Sequence, residues 1–349
     1  MMKRIALAER PTGAPTDRNF RLEEIALPNP RDGEVLVEIH YMSLDPYMRG
    51  RMDDAKSYAK PVNIGDTMEG GAVGRVIESK SEKFNVGDFV FGQLGWATHG
   101  CAHETMLRKL DLNLAPITTA LGMLGMPGFT GWYGLSELGR PKEGETLVVA
   151  AATGPVGSMV GQIAKAKGLR TIGVAGGADK CALATSKFGF DHCIDHKAYD
   201  TARDMNAALK EVCETGVDIY FENVAGKTLD AVLPLMNQFG RIPVCGMISW
   251  YNAGNLGADA GEGKDKLPKL WRSILVKQLS VNGFIISNHW DLYGQFLREV
   301  GPMLTSGQIA YEEDIVEGLE NAPNAFIGLL EGKNMGKLIV KVAYIRHEL

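Results

Sequence analysis

The chain has 349 residues, which is long enough for two domains of ordinary size. Hydrophobic residues make up 45% and charged residues 23% of it, as is ordinary for a soluble globular protein. The net charge of −5 is spread along the chain without a basic block or a basic amphipathic segment. This composition argues against binding to nucleic acid or to a membrane surface.

The amino terminus and the cysteines predict the compartment. Charged side chains begin at residue 3, too early for a signal peptide, and no apolar run approaches the length of a membrane span. The five cysteines are scattered and contain no Cys-x-x-Cys pair, which is typical of reduced thiols. We therefore expect a cytoplasmic protein.

Residues 1 to about 125 are rich in predicted short strands. Residues 34–41 alternate between apolar and polar side chains, and residues 71–77 and 87–92 are short apolar runs bracketed by turn residues. These patterns predict a small barrel of short strands. A glycine-rich segment at 125–135 then becomes helical.

From residue 147 onward, strands and helices alternate. Predicted helices at 180–188, 201–214 and 226–237 are followed by predicted strands at 191–195, 217–222 and 240–246. Alternation at this spacing predicts a parallel, doubly wound sheet. We interpret the segment 252–268, rich in Gly, Ala and Asp, as a mobile loop. A helix at 291–305 and a strand at 337–342 close the chain.

The segment 147–161 reads as a strand, a tight turn and an amphipathic helix. Its turn, Ala152-x-Gly154-x-x-Gly157, is the dinucleotide-binding fingerprint with alanine at the first glycine position. Gly154 would let the backbone approach a pyrophosphate, Gly157 would let the helix pack on the strand, and the helix amino terminus would offer N–H groups to the anion. A plain β–α turn is the alternative.

The next predicted strand, 171–175, ends at Gly176 and Gly177. An NAD site usually carries an acid here to bind the ribose 2′-hydroxyl. The missing acid and the cation at Lys180 favour a 2′-phosphate and therefore NADP. The alternative is that Asp179 caps the next helix while Lys180 is merely solvated.

Five segments, at 43–50, 125–130, 222–226, 245–252 and 331–337, resemble the medium-chain dehydrogenase/reductase superfamily. The resemblance is greatest to its zinc-free branch of NADPH-dependent alkenal/one and curcumin-type reductases. It implies an α/β fold with a GroES-like β-barrel domain formed by residues 1–125 and 307–349. A doubly wound, Rossmann-type NADP-binding domain would occupy residues 126–306. The resemblance also implies a homodimer joined through the nucleotide-binding domains.

The resemblance places cofactor contacts in the turns after successive strands and near the end of the chain. The implied contacts are Thr130, Thr153, Gly154, Pro155, Val156, Lys180, His196, Asn223, Cys245, Gly246, Met247, Ile248, Ser249, Trp250, Tyr251, Phe284, Ile285, Ile286 and Asn334. His196 stands where mammalian relatives place a tyrosine against the 2′-phosphate. Histidine can still donate a hydrogen bond there, and its charged form would favour phosphate further, which leaves the pH dependence open.

The implied reaction is the NADPH-dependent reduction of the carbon–carbon double bond of α,β-unsaturated aldehydes or ketones. It needs a hydride near the β carbon, a donor to the enolate oxygen and a proton for the α carbon. Tyr251, just past the strand predicted to end at Gly246, is the candidate donor; alternatively, it only packs on the nicotinamide ribose. Tyr47 is the candidate to line the substrate pocket from the barrel domain; alternatively, it is an aromatic residue of the barrel surface.

No metal is expected. The zinc branch has a cysteine near residues 42–43 and Gly-His-Glu where residues 67–69 here are Thr-Met-Glu, and its four-cysteine lobe is missing. His99, Cys101 and His103 would share one face of a strand, as a metal site requires, but we interpret them as scattered surface residues.

Two other functions remain open. One is a quinone-type reductase on the same fold, and the other is a non-enzymatic, crystallin-like protein that retains nucleotide binding. Turnover with enals, enones and quinones would distinguish them.

Overall fold

The computed structural model describes residues 1–55, 57–254 and 266–343. Counting only these residues, the chain forms two compact units. The first combines residues 1–122 and 313–343 with the short segment 252–254, and the second combines residues 123–251 with residues 266–312.

The strands are numbered in chain order. They are β1 Met2–Leu7, β2 Phe20–Ile25, β3 Glu34–Ser43, β4 Gly71–Ser79, β5 Phe89–Gln93, β6 His99–His103, β7 Leu107–Lys109, β8 Thr146–Ala150, β9 Arg170–Ala175, β10 His192–Asp195, β11 Val217–Phe221, β12 Met236–Val244, β13 Ser280–Gly283, β14 Glu313–Glu317 and β15 Lys337–Lys341.

The α-helices are numbered in the same way. They are α1 Met48–Arg51, α2 Met126–Tyr133, α3 Pro155–Ala166, α4 Ala178–Ser186, α5 Ala202–Val212, α6 Gly226–Val232, α7 Leu267–Lys277, α8 Tyr293–Thr305 and α9 Ala322–Leu330. No helix of the described ranges is long and apolar enough to cross a membrane.

The first unit is built on a seven-stranded sheet from both ends of the chain. Its order is β14-β15-β3-β4-β5-β7, with β6 also paired to β3. Only the β14–β15 pair is parallel. Trp96 and Phe326, both fully buried and 5.4 Å apart between ring centroids, pack in its core.

The second unit confirms the predicted parallel, doubly wound sheet. Its six strands run in the order β10-β9-β8-β11-β12-β13, and each adjacent pair is parallel. Val148, Ile172 and Tyr220 are fully buried in its core. The strand order reverses between β8 and β11, and in such sheets ligands bind outside the carboxyl ends of the strands at this point.

Two predicted elements differ from the structure. The helix predicted at 226–237 ends at Val232, because a short 3-10 turn with Pro234 leads directly into β12. The loop predicted at 252–268 is shorter, because α7 begins at Leu267 with Pro268 in its first turn, where proline is tolerated. Residues 255–265 of that loop lie outside the described residues.

Candidate cofactor and active site

The turn between β8 and α3 has the geometry of a phosphate-binding turn. Gly154 is the N-cap of α3 and Pro155 follows in the first turn, so the first N–H groups of the helix have no partner within it. A Cβ atom at Gly157 would lie 2.3 Å from the carbonyl oxygen of Ala151, so only glycine allows this close packing. A Cβ atom at Gly154 would meet no protein atom closer than 3.5 Å. A methyl group would therefore fit at Gly154 without a clash with the protein.

The end of β9 brings together the residues predicted to bind a 2′-phosphate. A Cβ atom at Gly176 would lie 2.9 Å from Nε2 of His196. The carboxylate of Asp195 accepts hydrogen bonds from the N–H groups of Gly177 at 2.8 Å and Lys197 at 2.9 Å. The acid in this corner of the sheet is therefore engaged by the main chain.

The charges around His196 favour an incoming anion. Burial lowers the pKa of His196, and the positive charges of Lys227, Lys197 and Lys180 lower it further, against the opposing effect of Asp195. The Nζ atom of Lys227 donates to the carbonyl oxygen of His196 at 2.7 Å. We call Lys180, His196, Lys197 and Lys227 the cationic corner.

The turn after β11 links the ends of neighbouring strands. The Asn223 side chain donates to the carbonyl oxygen of Ala150, the last residue of β8, at 2.8 Å. The carbonyl oxygen of Asn223 accepts from the N–H of Ile248 at 3.2 Å. The 245–251 segment is thus tied to this turn, and Asn223 and this segment lie at one edge of the sheet.

Tyr251 ends this segment, near the carboxyl end of β12. The N–H group of Met247 donates to its hydroxyl oxygen at 3.4 Å, and a Cβ atom at Gly246 would lie 3.0 Å from that oxygen. The phenol therefore lies against the main chain that follows β12, at the edge of the sheet where the sequence placed it.

Other predicted contacts are held by local interactions. The Thr130 hydroxyl, on α2, donates to the carbonyl oxygen of Met126 at 2.7 Å and is buried. Phe284 follows β13, and its ring centroid lies 5.4 Å from that of Tyr133. Asn334 belongs to the first unit, where its side chain donates to the carbonyl oxygen of Gly336 at 2.7 Å.

In the first unit, Tyr47 precedes α1 in a cluster of charged side chains. The Arg51 guanidinium lies 5.4 Å from the ring centroid of Tyr47 and 4.4 Å from that of Tyr58. Its Nε atom donates to Glu69 at 2.6 Å. Burial, followed by the negative charges of Asp45 and Glu69, raises the pKa of Tyr47 well above its usual value. The phenol, like an unperturbed one, is protonated at neutral pH and can donate a hydrogen bond.

At the positions where the resemblance would place zinc-branch ligands, the structure shows buried or ion-paired side chains. Met42 and Met68 are fully buried in the hydrophobic core of the first unit, and Glu69 is paired with Arg51.

His99, Cys101 and His103 lie on a strand, β6, as the sequence suggested. Each of them makes its polar contact with a residue outside this group of three. His99 contacts Thr98, Cys101 donates to Glu34 at 3.6 Å, and His103 contacts Thr105. Within the described ranges, no group of three or more His, Cys, Asp or Glu side chains is arranged to hold a metal ion.

Sequence reasoning missed three residues of this sheet edge. Asp195 and Glu222 each stand at the carboxyl end of a strand, a signal that could have drawn attention to them. Lys227 had no such signal, because it lies on α6, 31 residues along the chain from the His196 carbonyl oxygen that its Nζ atom contacts.

Comparisons with known proteins cover both units. Family models for the N-terminal domain of oxidoreductase and for zinc-binding dehydrogenase match residues 3–110 and 155–300. The NADPH-dependent curcumin reductase of Escherichia coli (strain K12) is 51% identical over 342 residues, which are 98% of this chain and 97% of that protein. The 2-alkenal reductase (NADP(+)-dependent) of Nicotiana tabacum is 40% identical over 346 residues, with coverage of 98% and 97%.

A solved structure shows the same fold. The crystal structure of CurA in complex with NADPH from Vibrio vulnificus matches with a TM-score of 0.91 at 50% identity, covering 98% of this chain and 99% of that one. Similarity at this level over nearly the whole length establishes the family. The chain belongs to the NADPH-dependent alkenal and curcumin reductase branch of the medium-chain dehydrogenase/reductase superfamily.

Proposed function

We propose that this NADPH-dependent oxidoreductase reduces the carbon–carbon double bond of α,β-unsaturated aldehydes and ketones. The observation that carries the proposal is the 51% identity, over 98% of the chain, to a curcumin reductase. The similarity to a 2-alkenal reductase supports the wider class of small enals.

Two features of the second unit suit the binding of NADP(H). The close packing at Gly157 and the lack of any side chain at Gly154 leave the amino terminus of α3 accessible, which suits a pyrophosphate. The cationic corner at the end of β9 suits a 2′-phosphate, because the adjacent carboxylate of Asp195 is held by main-chain N–H groups. We expect Asn223 and the 245–251 segment to bind the remainder of the cofactor.

The cofactor supplies the hydride, and the protein orients the enone and stabilises charge on it. As hydride reaches the β carbon, negative charge grows on the carbonyl oxygen, so a hydrogen-bond donor placed there stabilises the transition state more than the ground state. We assign this donor to the Tyr251 hydroxyl. Tyr47, whose phenol can also donate a hydrogen bond, is assigned to the substrate pocket.

The proposal includes a homodimer joined through the second unit. β13 is the last strand in its sheet order, and an edge strand offers main-chain groups to another chain. Exposed apolar side chains occur on β13, at Val281, and on α7, the helix that precedes β13 in the chain, at Trp271, Leu275 and Val276. An apolar surface next to an open strand edge favours a second copy of the chain.

We also propose that the protein works in the cytoplasm without a metal. All five cysteines are free thiols in the structure, as expected of a reducing compartment. The buried Met42, Ser43 and Met68, at or beside the positions where the resemblance would place zinc ligands, support metal-free catalysis.

The test is NADPH oxidation with a panel of enals, enones and quinones, repeated after prolonged dialysis against a chelator. We expect turnover of enals and enones, formation of the saturated carbonyl product, and no loss of rate after chelation. Turnover of quinones alone would replace the proposal with a quinone reductase. Tight NADPH binding without any turnover would indicate a non-enzymatic role.

A further inference from the structure

A buried carboxylate at the end of β11 has no part in the reaction proposed above. Glu222 directly follows β11 and is only 2% exposed. Its Oε1 atom accepts hydrogen bonds from the N–H groups of Val224 and Ala225, both at 2.7 Å, and from the Tyr220 hydroxyl at 3.0 Å. Its buried Oε2 atom has no hydrogen-bond partner in the described part of the chain. The carboxylate is thus enclosed by the turn that follows it.

That turn contains a backbone conformation that alanine rarely adopts. Ala225 has φ 66° and ψ −155° and is buried. Such strain persists only where the surrounding structure over-determines it. Glu222 provides this constraint, because a single carboxylate oxygen binds the N–H group of Ala225 and that of the preceding residue. Hydrogen bonds to a carboxylate are stronger than those to a neutral acceptor.

The same turn supports the predicted cofactor contacts. The carbonyl oxygen of Val224 accepts from the N–H and the hydroxyl of Ser249, at 3.1 and 2.6 Å. Asn223 binds both the end of β8 and Ile248, as described above. The carbonyl oxygen of Glu222 itself accepts from the N–H of Cys245 at 2.9 Å. A movement of this turn would therefore move the segment that ends in Tyr251.

We infer that Glu222 is a positioning residue for NADP(H): its carboxylate holds the strained 223–225 turn, and through that turn Asn223 and the 245–251 segment, in the conformation that binds the cofactor. The inference rests on the proposed function for the identity of the cofactor. It is tested by binding, which can be measured without turnover.

The first measurement is the Kd of NADPH for the full chain, with Glu222→Ala and Glu222→Gln. We expect Glu222→Ala to raise the Kd about tenfold or more, because both main-chain N–H groups lose their acceptor. Glu222→Gln keeps an acceptor oxygen of similar reach without the charge, so we expect a rise of about threefold. With an enone and saturating NADPH, Glu222→Ala should also lower kcat about tenfold, because Tyr251 depends on the same turn.

The second measurement tests the strain. Glycine adopts the Ala225 conformation without a steric cost. Ala225→Gly should therefore recover at least about threefold of the affinity lost in the Glu222→Ala background and about half of the smaller loss in the Glu222→Gln background, and it should change the wild-type Kd less than about twofold. If Glu222→Ala does not fold, the comparison of Glu222→Gln with and without Ala225→Gly decides. An equal change of the NADPH Kd by Ala225→Gly in the wild type and in the Glu222 variant would overturn the inference, because the carboxylate would then not be holding the turn.

Asp218, at the opposite end of β11 from Glu222, provides a matched control. Its carboxylate accepts from the N–H of Thr146 and from the Asn237 side chain, both at 2.8 Å, near the amino ends of β8 and β11. We expect Asp218→Ala to lower thermal stability and to leave the Kd within about twofold. A Kd for Glu222→Ala within twofold of wild type, or an equal rise in Asp218→Ala, overturns the inference. If the wild type binds NADPH but reduces no enone, the proposed substrate fails while these binding results still decide the role of Glu222.

Discussion

Tyr251 is assigned as the hydrogen-bond donor to the substrate oxygen, and the alternative is that it only packs against the cofactor. One substitution distinguishes the two roles. Its hydroxyl contacts the main chain at Met247, and its ring is half-buried. We expect Tyr251→Phe to lower kcat for an enone by about tenfold or more, because a positioned donor contributes at least this much. The Kd of NADPH, measured by fluorescence titration, should stay within about twofold, since the ring is retained.

Tyr293→Phe is the matched control for the Tyr251 variant. Its hydroxyl donates to the carbonyl oxygen of Leu124 at 2.5 Å, a contact that holds the fold. This variant should keep the wild-type kcat. If kcat of Tyr251→Phe stays within about threefold of wild type, Tyr251 is a packing residue and Tyr47 becomes the next donor to test.

Lys180 belongs to the cationic corner, and its charge contributes to the lowered pKa of His196. Because a hydrogen bond to a charged group is worth about 1.5–3 kcal/mol, Lys180→Ala should raise the Kd of NADPH about tenfold or more. The Kd of NADH should not change, because NADH lacks the phosphate. Lys165→Ala, which removes an ion pair to Asp191, is the control and should alter neither Kd. Equal losses for NADPH and NADH in Lys180→Ala would remove Lys180 from the phosphate site.

His196 predicts a pH dependence that is specific to NADPH. Burial and then Lys227 lower its pKa, so the free protein holds a neutral imidazole at pH 7. A bound phosphate would raise this pKa, because an opposite charge favours the protonated ring. NADPH binding should therefore take up protons and strengthen as the pH falls from neutral towards the lowered pKa of the free imidazole, whereas NADH binding should not.

The phosphate of the cofactor titrates in the same range, so the prediction concerns the difference between wild type and His196→Gln. Calorimetry in two buffers of different ionisation enthalpy measures the protons taken up on binding. We expect fewer in His196→Gln than in wild type at pH 6, for NADPH only. Identical uptake in the two proteins would show that His196 does not meet the phosphate.

At the scale of elements, the β8–turn–α3 segment contains one glycine that we expect to matter for folding, Gly157, and one that we expect to matter for binding, Gly154. Gly157→Ala would place Cβ 2.3 Å from the Ala151 carbonyl oxygen, so α3 must shift. We expect it to lower the midpoint of thermal unfolding by about 5 °C or more. Gly154→Ala has room within the protein and a φ of −70° that alanine accepts, so the midpoint should hold.

For NADPH binding, unlike thermal stability, we expect Gly154→Ala to have the clear effect. Gly154→Ala should raise the Kd of NADPH about tenfold or more, because its methyl group enters the space assigned to the pyrophosphate. Calorimetric unfolding and fluorescence titration give the two quantities. Unchanged NADPH affinity in Gly154→Ala would show that the phosphate does not approach this turn.

At the scale of the whole molecule, the homodimer proposal depends on β13 and α7. Val281 on β13 and Leu275 on α7 are 41% and 78% exposed. We expect Val281→Lys combined with Leu275→Glu to give a particle of one chain in sedimentation, where the wild type gives two, because charge on an edge strand opposes strand pairing.

Ile315→Lys is the matched control for the dimer variant. Ile315 is 44% exposed on β14, which ends the sheet of the first unit. This change should leave the wild-type mass unaltered. A wild type that sediments as one chain at micromolar concentration would contradict the dimer.

Features encoded within short stretches could be predicted from the sequence alone. The apolar run before Gly154, the helical spacing after Gly157 and the glycines at the end of β9 indicated a parallel, nucleotide-binding unit, because each depends on neighbouring residues. The helix α7 and the strand β13 were missed. α7 follows a segment rich in Gly, Ala and Asp, and none of its residues is fully buried. β13 has only four residues, too few for a clear alternation.

Only the tertiary structure decided how the sheet edge is assembled. It brought His196 of the turn after β10 beside Gly176 of the turn after β9, and it engaged the Asp195 carboxylate with main-chain N–H groups. It also placed Glu222 where one carboxylate oxygen holds a strained turn. Parallel strands align residues that are far apart in the chain, so the sequence determined which groups are available and the packing of the strands determined which of them meet.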